Sequence, residues 1–264
     1  MRDINDYTKK YIKSNFENNY QVKYRKKKVL EEINKYEHNS ILEIGCGLNS
    51  LAENVDDYQF FTVVEPSEIF INNAKYSLEK KSTLKSDKVE FHKGLFPEEV
   101  IDDISDKKYD FIVLSSLLHE MEEPEKILDG ILVVSDNKTV IHINVPNAYS
   151  LHRLLAYEAG IIENIEAFSE RNISYQQHSV FSLESLIMLL NNWANNQNLS
   201  IELLNHGSYF VKPFSHSQME RMIKANIIDA KIINGFDRLI KYMPNFGSEI
   251  FVNFRIKKNQ YMGK

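Results

Sequence analysis

Apolar positions in the first half of the chain gather into five short runs, at 40–45, 60–65, 88–93, 110–115 and 138–144. Each run is short and nearly continuous, which is the pattern of a strand buried on both faces. Between them, 67–80 and 122–134 carry apolar residues at helical spacing, and Ser67 stands where it can cap the first of these helices. Strands alternating with helices predict an α/β fold with a doubly wound, mostly parallel sheet. Ligands in such sheets sit at the carboxyl ends of the strands.

The flanking pattern is different. Residues 1–36 are polar and aromatic, with Tyr7, Tyr11, Phe16, Tyr20 and Tyr24 three to five positions apart, and this spacing predicts amphipathic helices laid over the core as a cap. The basic run 23–28 reads as a solvated helix face. After 146 an extra helical stretch begins at 149–160, a strand-helix unit resumes with 181–194 and 201–211, and a last strand covers 249–256. An antiparallel final strand would complete a seven-stranded sheet. Two insertions, 147–180 and 212–246, supply the material for a lid. No linker interrupts the chain, so 1–264 is expected to be one domain with its ligand-binding core at 40–146.

The most informative stretch is 40–50, Ser-Ile-Leu-Glu-Ile-Gly-Cys-Gly-Leu-Asn-Ser. Gly45 and Gly47 allow a tight turn whose backbone can approach a ligand closely. Glu65 ends the next strand candidate, 22 positions after Glu43, and an acid there is placed to hold ribose hydroxyls. A dinucleotide turn wants Gly or Ala at its third position, where this chain has Ser50. Glu43 would repel a pyrophosphate, yet it could accept hydrogen bonds from a cationic amino-acid group. The turn therefore points to a nucleoside cofactor other than a dinucleotide.

The pattern acid-x-Gly-x-Gly resembles the first motif of class I S-adenosylmethionine-dependent methyltransferases. The resemblance implies that Glu43, Gly45, Cys46, Gly47 and Asn49 shape the methionine site, with Asn49 standing where the family's last glycine usually falls. Val63-Val64-Glu65-Pro66-Ser67 is similar to the second motif, which gives Glu65 the ribose and places Pro66 beside it. Residues 89–96 resemble the third-strand segment, so Gly94, Leu95 and Phe96 would flank adenine, although the acid that often binds the adenine amino group is missing. Residues 109–120 resemble the fourth-strand motif and bring in Ser115 and Leu117. Segments 144–153, 177–184 and 210–215 look like those of small-molecule methyltransferases of surface-sugar and secondary metabolism.

The resemblance implies a Rossmann-like fold with helical lid insertions, S-adenosylmethionine as cofactor, and methyl transfer to a small polar acceptor. That acceptor would be a sugar, a nucleotide-linked sugar or a phosphorylated intermediate, methylated on oxygen. Methylation of a small amine, of RNA or of protein, and non-catalytic cofactor binding, are the alternatives on this scaffold. A hydroxyl acceptor needs a general base, and His119, His152 and His178 fall where strand ends or lid segments meet the pocket. Arg153 could pair with an acceptor phosphate or carboxylate. His142 lies inside a strand candidate and reads as core.

Composition narrows the partners. In 264 residues the net charge is −5, which argues against a nucleic-acid surface, and a single cysteine, Cys46, rules out an internal disulfide or a cysteine zinc cluster. No apolar run approaches the ~20 residues of a membrane span, and no secretion segment opens the chain. A cytoplasmic protein is expected. No metal is expected either: Asp102, Asp103 and Asp106 read as a solvated turn, and Glu122 and Glu123 as the start of a helix.

Overall fold

Ile41 and Leu42 are adjacent in sequence, both fully buried, and packed into different cores. That is possible only where a strand is covered on both faces. The computed structural model describes residues 3–14, 20–81 and 83–258, and Phe16 lies outside them. Two helices, α1 (Ile4–Lys13) and α2 (Tyr20–Ile33), precede β1 (Ser40–Ile44). There follow β2 (Phe60–Glu65), α3 (Glu68–Lys81), α4 (Thr83–Ser86), β3 (Val89–Lys93), α5 (Ile101–Ile104), β4 (Phe111–Ser115), α6 (Pro124–Val134) and β5 (Val140–Pro146). The second half adds α7 (Leu151–Glu158), α8 (Glu170–Ser174), α9 (Leu183–Asn196), β6 (Leu199–Tyr209), α10 (His216–Lys224), α11 (Ile232–Arg238) and β7 (Glu249–Lys258).

The seven strands form one sheet in the order β3-β2-β1-β4-β5-β7-β6. β1 pairs in parallel with β2 and β4, and β7 runs antiparallel to both β5 and β6, so the last strand is the reversed one. One face buries Leu42, Ile112 and Ile143 under Ile127 and Ile131 of α6 and Leu186 and Trp193 of α9. The other buries Ile41, Val63 and Val113 under Val29 and Ile33 of α2 and Ala74 and Leu78 of α3. Ser67 caps α3, its Oγ accepting from the amide of Phe70 at 3.4 Å.

Two features depart from the sequence expectations. The β1–β2 crossover carries no α-helix: a 3₁₀ turn at Leu51–Glu53 fills it, with Leu51, Ala52 and Val55 buried beneath. Second, the basic run on α2 is not uniformly solvated. Gln21, Val22, Arg25 and Lys26 share the inward stripe of the helix, Arg25 is buried, and Lys28 pairs with buried Glu32 at 2.7 Å. Met219 of α10 and Ile233 and Phe236 of α11 pack on Tyr24, Phe210 and Phe251, where β6 ends and β7 begins beside the carboxyl end of β5. His142 is fully buried, with Nδ1 2.6 Å from Asn253 Oδ1.

Candidate active site

The glycine turn is built by backbone geometry that only certain residues supply. Gly45 and Gly47 have φ of +78° and +61°, a region costly for residues with a Cβ. The amide of Gly47 donates to Glu65 Oε2 at 3.1 Å, and that of Ser67 to Glu65 Oε1 at 2.9 Å. The acid at the tip of β2 is thereby fixed against the turn at the tip of β1. Glu43 is equally constrained: Ser50 Oγ donates to its Oε2 at 2.5 Å, and the amide of Leu51 donates to both oxygens. Burial raises the Glu43 carboxyl to about 7, against the lowering effect of Ser50, Leu51 and the charge of Lys26. Asn73 of α3 donates to Leu48 O at 2.6 Å and ties the turn down from behind. Burial also pushes the Cys46 thiol well up, so it is a packed side chain and not a thiolate.

Two adjoining cavities open at these strand ends, of about 250 and 400 Å³, and share Ile4, Gly45, Pro66, Leu117 and Glu120. The larger is mainly apolar. Gly94, Leu95 and Phe96 from the loop after β3 line it with Ile44, Val64 and Met121, and the exposed acids Glu98, Glu122 and Glu123 stand outermost. The smaller is the more polar of the two and holds Glu43, Cys46, Gly47, Asn49, Glu65 and Ser115, together with His119, His152 and Arg153. Every residue assigned from sequence to the cofactor, the acceptor or the base lines one cavity or the other. The histidines divide, however: His119 and His152 share the polar cavity, while His178 lines the apolar one.

The roof comes from both flanking regions. Tyr7 and Tyr11 of α1 stack edge-on against Phe70 of α3, and Tyr7 meets Tyr175 after α8. The amides of His178 and Ser179 donate to His119 O at 3.0 and 3.1 Å, which pins the 147–180 insertion, expected from sequence to be a lid, to the turn after β4. Arg153 clasps the same lid from inside: Nε donates to Ile165 O at 3.0 Å and Nη2 to Ala167 O at 2.8 Å. Its predicted partnership with an acceptor anion therefore competes with a structural duty.

Sequence reading missed a buried polar cluster beside this cavity. Glu249, fully buried, accepts from Arg25 Nε at 3.0 Å and from Arg25 Nη2 at 2.6 Å. Gln21 Nε2 donates to it at 2.7 Å, Asn144 Nδ2 at 2.9 Å, and the Tyr209 hydroxyl also donates. Burial alone would raise the Glu249 carboxyl, but the Arg25 charge and these donors bring it down to about 2. Lys212, 6% exposed, donates to Gln21 Oε1 and lines the cavity with Gln21 and Arg25. Ser116 was also missed; it lines the cavity with φ of +59° at the end of β4, a strained non-glycine backbone of the kind found at functional sites. Among the described residues, no group of three or more His, Cys, Asp or Glu is placed to hold a metal ion, and no helix is long and apolar enough to cross a membrane.

The strand order, the fixed acid and the paired cavities define a Rossmann-like protein that binds a nucleoside-type ligand at its strand ends. Within that class the chain belongs to the methyltransferase-domain family, whose model matches residues 18–201, and it is a class I methyltransferase. The plantazolicin methyltransferase BamL, solved with a triazolic desmethylPZN analog and SAH, is similar with TM-score 0.51 at 17% identity over 89% of this chain and 85% of that one. The [4+2]-cyclase SpnF gives 0.58 at 15% identity over 89% and 81%. The small RNA methyltransferase HEN1 gives 0.59 at 13% identity over 91% of this chain and 26% of that one. At such identities the likeness is one of fold. No curated protein sequence matches the chain.

Proposed function

We propose that this protein transfers the methyl group of S-adenosylmethionine to a hydroxyl oxygen of a small polar metabolite, such as a sugar, a nucleotide-linked sugar or a phosphorylated intermediate. The observation that carries the reading is Glu65, held in the smaller cavity by the Gly47 and Ser67 amides, next to Pro66, which lines both cavities. A carboxylate so fixed is preorganised to accept both hydroxyls of a ribose. The apolar cavity of Leu95 and Phe96 suits adenine, and the polar one suits the amino-acid tail. A dinucleotide fits poorly, because the residues after Gly47 enter a 3₁₀ turn and present no helix N-terminus to a pyrophosphate.

S-adenosylmethionine supplies an activated methyl on a sulfonium, so the chain's task is alignment, exclusion of water and removal of one proton. Glu65 would hold the ribose and Glu43 the methionine ammonium, with lone pairs beyond those given to Ser50 and Leu51. The aromatic contacts of α1 with Phe70 keep bulk water from the strand ends. With the donor bound, a hydroxyl acceptor would have to lose one proton as its oxygen takes the methyl group and S-adenosylhomocysteine leaves, and His119 or His152, which share the polar cavity, would take that proton. His178 lines the other cavity and is assigned to packing beside the adenine. The lone buried thiol of Cys46 suits the reducing cytoplasm.

The test is a calorimetric titration with S-adenosylhomocysteine of the wild type and of Glu65→Gln, which keeps the shape but not the charge. Binding that weakens by about the 1.5–3 kcal/mol of a charged hydrogen bond supports the assignment. Equal affinity in the two proteins removes Glu65 from the ribose.

A further inference from the structure

Residues 212–246 hold six Lys or Arg against three Asp or Glu, in a chain whose net charge is −5. The packing of this segment decides where those charges point. α10 and α11 bury Met219, Ile233 and Phe236 on one apolar cluster, with Met222 and Ile223 at its margin. At 3.6 residues per turn, Arg221 and Lys224 fall on the side of α10 opposite Met219. Arg238 falls on the side of α11 away from Ile233 and Phe236, and Lys231 stands at the helix start. All four cations are exposed. The three acids are engaged locally: Glu220 lies 3.4 Å from His216, Asp237 2.6 Å from Lys27, and Asp229 accepts from the Lys231 amide at 2.7 Å.

The turn between the two helices adds apolar side chains to this basic face. Asn226 has φ of +55°, and the amides of Ile227 and Ile228 both donate to Met222 O, at 2.9 and 3.5 Å. Such bonds back to the last helical turn fix the chain's exit from α10. Ile227 is thereby held outward, 70% exposed, and Ile232 at the start of α11 is exposed as well. One exposed isoleucine needs no explanation. Two of them among Arg221, Lys224 and Lys231 make a surface with two chemistries. A bilayer matches both, since its anionic headgroups meet the cations and its acyl boundary takes the apolar side chains. A nucleic acid would meet the cations and leave the isoleucines without a counterpart. The surface also lies at the cavity end of the sheet: the Val211 amide donates to Phe236 O at 3.1 Å, one residue before Lys212 in the cavity wall.

We propose that the α10–α11 surface docks this protein on an anionic lipid bilayer, with Ile227 and Ile232 entering the headgroup region and Arg221, Lys224, Lys231 and Arg238 meeting the lipid phosphates. The helices lie on the membrane and do not span it. Docking of this kind is reversible and salt-sensitive, because the charges are solvent-exposed and the inserted apolar area is small. It holds the cavity end of the sheet near the bilayer. None of these residues lines either cavity, so the inference stands apart from the methyl-transfer reading.

The experiment sediments the full chain with vesicles of phosphatidylcholine alone and of phosphatidylcholine with roughly a third phosphatidylglycerol, at low salt and at about 0.5 M sodium chloride. Wild type is compared with Ile227→Asp and with Lys224→Glu combined with Lys231→Glu. The control is Lys88→Glu combined with Lys138→Glu, the same change of net charge at exposed positions before β3 and β5, at the other end of the sheet. All the replaced side chains are exposed, and circular dichroism verifies that each variant is folded. The expected result is wild-type binding to the anionic vesicles at low salt, weaker by roughly fivefold or more on phosphatidylcholine or at high salt. Ile227→Asp and the Lys224/Lys231 reversal each lose roughly fivefold or more, and the Lys88/Lys138 control stays within about twofold. Wild type that ignores the anionic vesicles or binds both compositions equally overturns the proposal. So does an unchanged Ile227→Asp, or an equal loss in the two charge reversals. A parallel titration with polyuridylate covers the other polyanion: tighter binding there, dependent on Lys224 and Lys231 but not on Ile227, would assign the surface to nucleic acid and overturn the proposal as well.

Discussion

The two walls of the polar cavity are made in opposite ways. On the cofactor wall, Glu43 and Glu65 take hydrogen bonds from partners 2 to 18 positions away, mostly backbone amides of the turns they organise. On the opposite wall, Arg25 meets Glu249 across 224 positions and Lys212 meets Gln21 across 191, side chain to side chain. The first wall forms wherever β1 and β2 pair. The second exists only when the two ends of the chain have come together. Damage to the first wall should therefore reach cofactor binding, and damage to the second should reach the stability of the fold.

The largest expected effect lies on the reacting atoms. Replacing the operative histidine, in His119→Ala or His152→Ala, should cut turnover with an identified acceptor by roughly 10²–10⁴, with S-adenosylhomocysteine affinity unchanged by calorimetry. Full turnover in both variants would move the base elsewhere. Next comes Glu249→Ala, which takes the buried carboxylate away from Arg25 and should cost about 3–5 kcal/mol in urea unfolding. A loss below about 1 kcal/mol would mean that the second wall is not a structural clasp and would erase the contrast between the walls. Glu65→Gln should do the reverse, weakening S-adenosylhomocysteine by about 1.5–3 kcal/mol while shifting the unfolding midpoint little.

The smallest effect is pH dependence, and its sign differs between the walls. The Glu43 carboxyl is raised in the fold from 4.5 to about 7, so its stabilising contribution is complete below pH 4.5 and disappears as pH rises through 7. Glu249 is lowered to about 2, so its contribution is complete above pH 4.5 and is lost as pH falls towards 2. If the ionised Glu43 faces the methionine ammonium, S-adenosylhomocysteine should bind more tightly as pH rises towards 7, by up to about tenfold per unit, and release up to one proton. Calorimetry in buffers of different ionisation enthalpy measures that proton. Uptake of a proton, or none, would take Glu43 away from the ligand.

The contrast also explains what could be read in advance. The strands were legible because runs such as 40–45 and 110–115 must be apolar on both faces, and the cofactor wall was legible because its glycines and acids sit in fixed positions along two adjacent strand-turn units. Helix α2 shows the limit. A basic run viewed alone has the composition of a solvated face, and nothing local says that Arg25 meets an acid at the start of the last strand. The available signal was the four-residue step from Gln21 and Val22 to Arg25 and Lys26, which puts two basic residues on the stripe that also carries Val29 and Ile33. Segment 212–246 shows the same limit: its polar and aromatic composition fits a lid, and nothing local says that Met219, Ile233 and Phe236 pack on Tyr24, Phe210 and Phe251.

The most direct measurement is a calorimetric titration of the wild-type chain with S-adenosylhomocysteine, with NAD as the control. The account predicts selective binding of S-adenosylhomocysteine in the micromolar range and no response to NAD. Preference for NAD, or binding of neither, would contradict the assignment of the Glu43–Glu65 wall to a methyl donor.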